Sequence, residues 1–166
     1  MEESILTDRL EIIPCDMKMI LEILNCKYDN IIFSRSISSE QLNKLRTIAN
    51  IFKEKLSDDK GSYRWFAWIV AEKETGHIVG DVGFKGAPNE LGDVEIGFGI
   101  DSAFRRRGYA TEAALALMKW AFHTGIVERI FAICRIDNLP SIKVLENIGM
   151  IQNRIHDSYV HWSKII

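Results

Sequence analysis

Apolar and polar residues recur with two periods along this chain, and the points where one period gives way to the other divide it into elements. Leu10, Ile12 and the stop at Pro14 in RLEIIP predict a first strand, after which Asp16 caps a short helix carrying Met17, Ile20, Leu21 and Leu24. SSEQLNKLRTIANIFKEKL opens with Ser38 and Gln41 at capping-box spacing and repeats apolar residues at Leu42, Leu45, Ala49, Phe52 and Leu56, which predicts an amphipathic helix. DDKG at Asp58 to Gly61 breaks that pattern, and YRWFAWIVAEKETGHIVGDVGF reads as a hairpin turning at Thr75-Gly76. Beyond the loop KGAPNELGD lies a strand, VEIGFGI, and then FRRRGYATEA starts a helix that Gly125 ends. RIFAICRI is a further strand, NLPSIKVLENIG a helix bounded by Asn138 and Gly149, and MIQNRIH and SYVHWSKII two closing strands.

This order predicts an α/β (α+β) mixed sheet with at least one right-handed parallel crossover. No repeat, low-complexity tract or linker interrupts it, so residues 1–166 read as one domain. With 47% hydrophobic and 27% charged residues the composition is that of a globular chain long enough to bury its own core. The formal charge of -2 and a pI near 6.1 give no general attraction to nucleic acid or to an anionic membrane, so any basic function is local. Cys15, Cys26 and Cys134 are odd in number and far apart, and read as reduced core thiols. His77, His123, His156 and His161 form no HExxH or similar set, so no metal is expected. MEESILTDRLEIIP lacks the layout of a secretory signal and no apolar run approaches the roughly 20 residues that span a bilayer, so a cytoplasmic location is the expectation.

Alternation in Val94 to Ile100 sets Val94, Ile96, Phe98 and Ile100 on one face and Glu95, Gly97 and Gly99 on the other. Two glycines on one face suit either a ligand that approaches the backbone or a bulge in the strand. In the helix that follows, Ala110, Ala113, Ala114, Leu117 and Ala121 share a face, opposite Glu112, Ala116, Lys119 and His123. Gly108 allows a turn in which successive N–H groups converge, and the positive end of the helix dipole there favours a phosphate. Arg105, Arg106 and Arg107 add charge at the strand-to-helix junction, where open α/β sheets bind ligands, although a solvated basic run is the commoner reading of such a tripeptide. Neither GxxxxGK[ST] nor GxGxxG is present, so nucleotide hydrolysis and dinucleotide redox chemistry lack support.

Arg105-Arg106-Arg107-Gly108-Tyr109-Ala110 resembles the Q/R-x-x-G-x-G/A acyl-CoA signature of the GNAT superfamily of N-acetyltransferases. Glu95-Ile96-Gly97-Phe98 is similar to the family's strand before that loop, NLPSIKVLENIGM to its later helix, and ILTDRLEIIP to the opening of the RimJ/RimL-like branch. The resemblance implies a mostly antiparallel seven-stranded sheet, helices on both faces, and a splayed central cleft. It places acetyl-CoA on the backbone of Phe98, Gly99 and Ile100, its pyrophosphate on the amides of Arg106 to Ala110, and Asn138 beside its pantetheine. The implied acceptor is an amine, either a protein N-terminus or a small molecule, and the resemblance leaves the oligomeric state open, since the final strand could pair across a homodimer.

Transfer needs a neutral amine, whereas free α-amino and lysine groups titrate near 7.7–8.0 and 10.4, so a proton must leave. By resemblance Glu95 is the base, in a cleft whose apolar walls would make its carboxylate a stronger proton acceptor. The tyrosine with which many relatives protonate the leaving thiolate is replaced here by Leu145, and Ser141 takes that role in the RimJ/RimL-like branch, or else is an ordinary first-turn residue. Trp65, Phe66, Trp68 and Phe84 either line an acceptor pocket or belong to the core, and Asp81, Glu90, Asp93 and Asp157 either attract a cation or are solvated. Two rival readings remain: a protein that binds acyl-CoA without transfer, and nucleic-acid binding through the arginine run.

Overall fold

The computed structural model of the chain describes residues 4–25, 36–55 and 62–166. Its strands are β1 (Ile5–Leu6), β2 (Leu10–Pro14), β3 (Ala67–Glu72), β4 (Ile78–Phe84), β5 (Asp93–Ile100), β6 (Arg129–Arg135), β7 (Ile151–His156) and β8 (Tyr159–Ile165). They form one sheet in the order β1-β2-β3-β4-β5-β6-β8-β7, antiparallel everywhere except between β5 and β6. The helices are α1 (Met17–Asn25), α2 (Ser39–Lys55), α3 (Tyr109–His123) and α4 (Leu139–Asn147). α3 makes the crossover between the parallel pair.

The sheet has one strand more than the seven expected. The addition is β1, a two-residue strand that folds back so that Ile5 faces Ile12 and Leu6 faces Glu11. Two residues are too few to show an alternation. The closing strands also differ from expectation in position: β8 is inserted between β6 and β7, paired on both sides, so it cannot extend across a dimer. The free edge belongs to β7. Asp157 (φ 47°) and Ser158 (φ 67°) make the tight turn between these strands, in the left-handed conformation that two-residue hairpin loops require.

Two cores sandwich the sheet. Trp68, Val70, Val82 and Ile130 pack with Ala114 and Leu117 of α3 and Leu145 of α4, while Ala67, Ile69 and Ile78 pack with Ile20 and Ile23 of α1 and Leu45 of α2. Because β3 is covered on both faces, its sequence reads as a continuous apolar run in which neighbours enter different cores. Each fully buried Leu, Ile or Val contributes about 1.5–3 kcal/mol. The four aromatic residues considered for an acceptor pocket are core. Trp65 and Trp68 lie 5.0 and 5.1 Å from the Trp120 ring, Phe84 packs beside them, and Phe66 is buried in the other cluster.

Cys15 and Cys134 are buried and unbridged, and burial pushes both thiols above their ordinary range, whereas Cys26 lies outside the described residues. Leu56 and the Asp58 to Gly61 break lie outside them too. No helix among the described residues is long and apolar enough to cross a membrane.

Candidate active site

Pairing between β5 and β6 runs only from Asp93–Arg129 to Glu95–Phe131. Beyond it, residues 96–100 pair with β4 and residues 132–135 with β8, so the strands diverge around a cleft of about 290 Å³. Glu95, Gly97 and Phe98 form one wall, Ala132 and Cys134 the other, and Asn138, Ser141 and Leu145 close it from α4.

Ladder parity decides which backbone groups reach this space. Lys85 N–H donates to the Glu95 carbonyl at 3.0 Å and Asp101 N–H to the Val79 carbonyl at 2.9 Å, so Glu95, Gly97, Gly99 and Asp101 turn their peptide groups to β4. Ile96, Phe98 and Ile100 turn theirs to the cleft. The Ile100 carbonyl is already taken by Arg105 Nε at 3.1 Å, and the parallel pairing of Glu95 with Phe131 engages the Ile96 N–H, which leaves the Ile96 carbonyl, the N–H and carbonyl of Phe98 and the Ile100 N–H along the open edge.

The two glycines of β5 differ in purpose. A Cβ on Gly97 would meet nothing within 4 Å, so that position is open space. A Cβ on Gly99 would collide with Lys44 Nζ, which crosses from α2 to pair with Asp81 at 2.7 Å. Gly99 therefore makes room for an internal ion pair. Asp81 is itself 8% exposed and accepts from Gln41 Nε2 at 2.9 Å, so it is no solvated charge. Asp93 is likewise engaged, by the Arg129 guanidinium.

The loop between β5 and α3 is shaped by two left-handed residues, Arg106 (φ 62°) and Gly108 (φ 82°), and Gly108 caps α3 without any side-chain acceptor. The first intrahelical bond runs from Glu112 N–H to the Gly108 carbonyl at 3.0 Å, so the amides of Tyr109, Ala110 and Thr111 point out of the helix start unpaired. A non-glycine residue at Arg106's φ is uncommon. The arginines divide the work unevenly. Arg105 holds Ile100, and Arg107 lies 5.2 Å over the Phe104 ring, while Arg106 makes no hydrogen bond or ion pair with the described residues.

A clamp that the sequence did not announce fixes this loop from behind. Glu112 accepts from Thr7 Oγ1 at 2.6 Å, from Arg9 N–H at 3.0 Å and from Arg9 Nε at 2.8 Å. The Arg9 guanidinium also donates to the Arg107 carbonyl at 2.9 Å and lies 4.8 Å over the Tyr109 ring. Burial alone would raise the Glu112 carboxyl, but the bonds from Thr7 and Arg9 outweigh it and hold the group below the usual carboxylate range. Tyr109 is 6% exposed, with its hydroxyl on the Glu72 carboxylate, so only its amide faces the loop. Bonds from Thr75 and then Tyr109 lower Glu72, and the same contact with Glu72 raises the phenol. The TDRL tetrapeptide carries the signal for it in the sequence: a Thr and an Arg just before the strand that begins at Leu10.

At the chemical end, Lys85 Nζ forms an ion pair with the Glu95 carboxylate, whose side chain is 16% exposed. The expected apolar surroundings of Glu95 are thus replaced by a cation. Asn138 caps α4 by accepting from Ser141 N–H at 3.2 Å, and Ser141 lines the cleft with a hydroxyl that has no hydrogen-bond partner among the described residues. Leu145, 1% exposed, fills the position where a tyrosine was sought. Tyr159 of β8 borders the same cleft and escaped notice in the sequence, because on a strand its alternation with Val160 marks only an outward face. Among the described residues no three His, Cys, Asp or Glu side chains gather as a metal site.

A family profile described as an acetyltransferase (GNAT) domain matches residues 29–151. The chain is 43% identical over 111 residues to the uncharacterized N-acetyltransferase YjdG of Bacillus subtilis (strain 168), a match covering 67% of this chain and 66% of that protein. The curated relatives it matches are thus covered over at most about two thirds of their length. In structure it is similar to a GNAT-family acetyltransferase from Bacillus anthracis, with 21% identity, a TM-score of 0.67 and 98% of each chain covered. It is also similar to RimL, a ribosomal L7/L12 alpha-N-protein acetyltransferase solved with coenzyme A, with 15% identity, a TM-score of 0.66, and 99% and 98% of the two chains covered. A sheet that splays beside an uncapped helix start, carried by a sequence that this profile matches over most of its length, places the chain in the GNAT acetyltransferase family.

Proposed function

We propose that residues 1–166 form a single acetyl-CoA-dependent N-acetyltransferase domain of the RimJ/RimL-like kind, acting on a primary amine by direct attack in a ternary complex. The observation that carries this reading is placement along β5: the strand leads from Glu95 and Phe98, which line the cleft, to the start of α3, whose first amides are unpaired among the described residues. Acetyl-CoA supplies an activated thioester. The amides of Arg106 to Ala110 hold its pyrophosphate, with Arg105, Arg106 and Arg107 supplying the surrounding positive charge, and Asn138 contacts the pantetheine. Of the expected strand contacts, Phe98 offers its N–H and carbonyl and Ile100 its N–H, while Gly99 turns its peptide group to β4 and the space above it is taken by Lys44.

Glu95 accepts the proton that the amine must lose, and a free N–H of β5 polarises the carbonyl under attack. Ser141 donates to the departing sulfur, a role supported by its uncommitted hydroxyl. The Lys85 contact is an ion pair between an amine and Glu95, and it supports the reading of this carboxylate as the partner of an incoming amine. The acceptor class is an amine at a protein N-terminus or on a small molecule. Release of free CoA across a panel of amines and peptides tests the proposal; tight CoA binding with no product on any acceptor would favour the non-catalytic reading.

A further inference from the structure

We propose that Lys85 is itself an acceptor, acetylated within its own chain by the acetyl-CoA bound in the cleft; this rests on the function proposed above. Lys85 and Glu95 are directly opposed across β4 and β5, joined by the backbone bond from Lys85 N–H to the Glu95 carbonyl, so both side chains rise from the same face. Lys85 Nζ touches the carboxylate assigned as base and lines the same cleft as Phe98 and Ser141. It is the one lysine lining that cleft among the described residues. The other lysines with assigned partners are held elsewhere: Lys44 by Asp81, Lys73 by the Thr7 carbonyl, Lys164 by the Ile148 carbonyl and Lys143 by Glu146. The side chain is 64% exposed, so nothing in the fold shields it from the thioester.

The step balances. The Lys85 ammonium gives a proton to Glu95, the neutral Nζ attacks the thioester carbonyl carbon, the C–S bond breaks as the N–C bond forms, and the second proton that the acylated nitrogen must lose passes to the departing thiolate. The products are one Nε-acetyllysine and one free CoA. The acetylated side chain has lost its charge, so Glu95 loses its cation and is released to serve an external amine. Lys85 thus occupies the acceptor position until the first acetyl group removes it.

The full chain, with its mass recorded as isolated, is mixed with isotopically labelled acetyl-CoA and no amine, and CoA release and peptide masses are followed. The expected result is a burst of about one CoA per chain with the label on Lys85, or Lys85 found already acetylated in the chain as isolated. Lys85→Arg abolishes the burst, because a guanidinium stays protonated. Glu95→Gln slows labelling of Lys85 by about a hundredfold and leaves the background at other lysines unchanged. Label spread over exposed lysines at rates matched by the unfolded chain would overturn the proposal. Turnover on the amine panel with Lys85 neither labelled nor acetylated in the chain as isolated would overturn it and leave the proposed function standing, whereas absence of both CoA binding and turnover would remove both.

Discussion

The two ends of the segment that runs from Glu95 along β5 to the start of α3 are built in opposite ways. At the α3 start, the loop is held by committed groups from three parts of the chain: Thr7 and Arg9 from the β1–β2 turn, Glu72 from β3 and Glu112 from α3 itself. At the Glu95 end the groups are loosely engaged or free: an ion pair to an exposed lysine, an uncommitted serine hydroxyl and a half-open tyrosine. The contrast has a physical basis. Backbone amides bind an anion only if their directions are fixed, because no side-chain rotation can correct them. A group that must gain or lose a proton needs a partner that can leave. Rigidity therefore belongs to the cradle and availability to the chemistry.

Several substitutions sharpen or break that comparison, from the largest expected effect downward. Gly108→Val places a β-branched residue at φ 82°. The strain is about 1–3 kcal/mol, and with loss of the amide geometry CoA affinity measured by calorimetry should fall by roughly a hundredfold. Arg9→Ala removes the guanidinium's bonds to Glu112 and to the Arg107 carbonyl, but not the backbone N–H bond to Glu112, without touching the cleft. It should raise KM for acetyl-CoA about tenfold with kcat little changed, and Arg9→Lys should recover part of the loss; a fall in kcat alone would show that the clamp serves the chemical end instead.

Glu112 gives a dependence on pH. Its folded value lies below the unfolded one, so its stabilisation is present above about pH 4.3 and fades as pH falls through the folded value. Chemical denaturation should show Glu112→Gln less stable than the native chain at pH 7 by about 1–3 kcal/mol, with the difference narrowing toward pH 3. The smallest effect is expected at Arg106, which has no partner among the described residues: Arg106→Ala should weaken CoA binding about two- to threefold, mostly at low salt. If Arg106→Ala proved worse than Gly108→Val, the loop would be a charge patch and not a backbone cradle.

Local patterns carried most of this far. The alternation in Val94 to Ile100, Gly108 before an alanine-rich face, and Asn138 and Gly149 around α4 are each settled by neighbours a few residues away, and the structure places them as expected. What stayed hidden is long-range. Glu112 was assigned to a face opposite the buried one and proved to be the anchor of the clamp, because its partners Thr7 and Arg9 lie over a hundred residues earlier. On sequence alone Gly99 suits either a ligand's approach or a bulge, and in the fold its space is filled by Lys44. Ladder parity, which turns the peptide groups of Ile96, Phe98 and Ile100 away from β4, follows from which edge β4 occupies, and a single strand cannot reveal that.

The division between a cradle that binds and a carboxylate that reacts is tested most directly by measuring acetyl-CoA affinity and transfer to an amine together in Glu95→Gln. The exposed Lys85 contact adds little to stability, so the fold should persist. The account predicts an unchanged dissociation constant and a kcat lowered by about 10²–10⁴-fold. Unchanged turnover at every pH, or CoA affinity lost in step with activity, would contradict it.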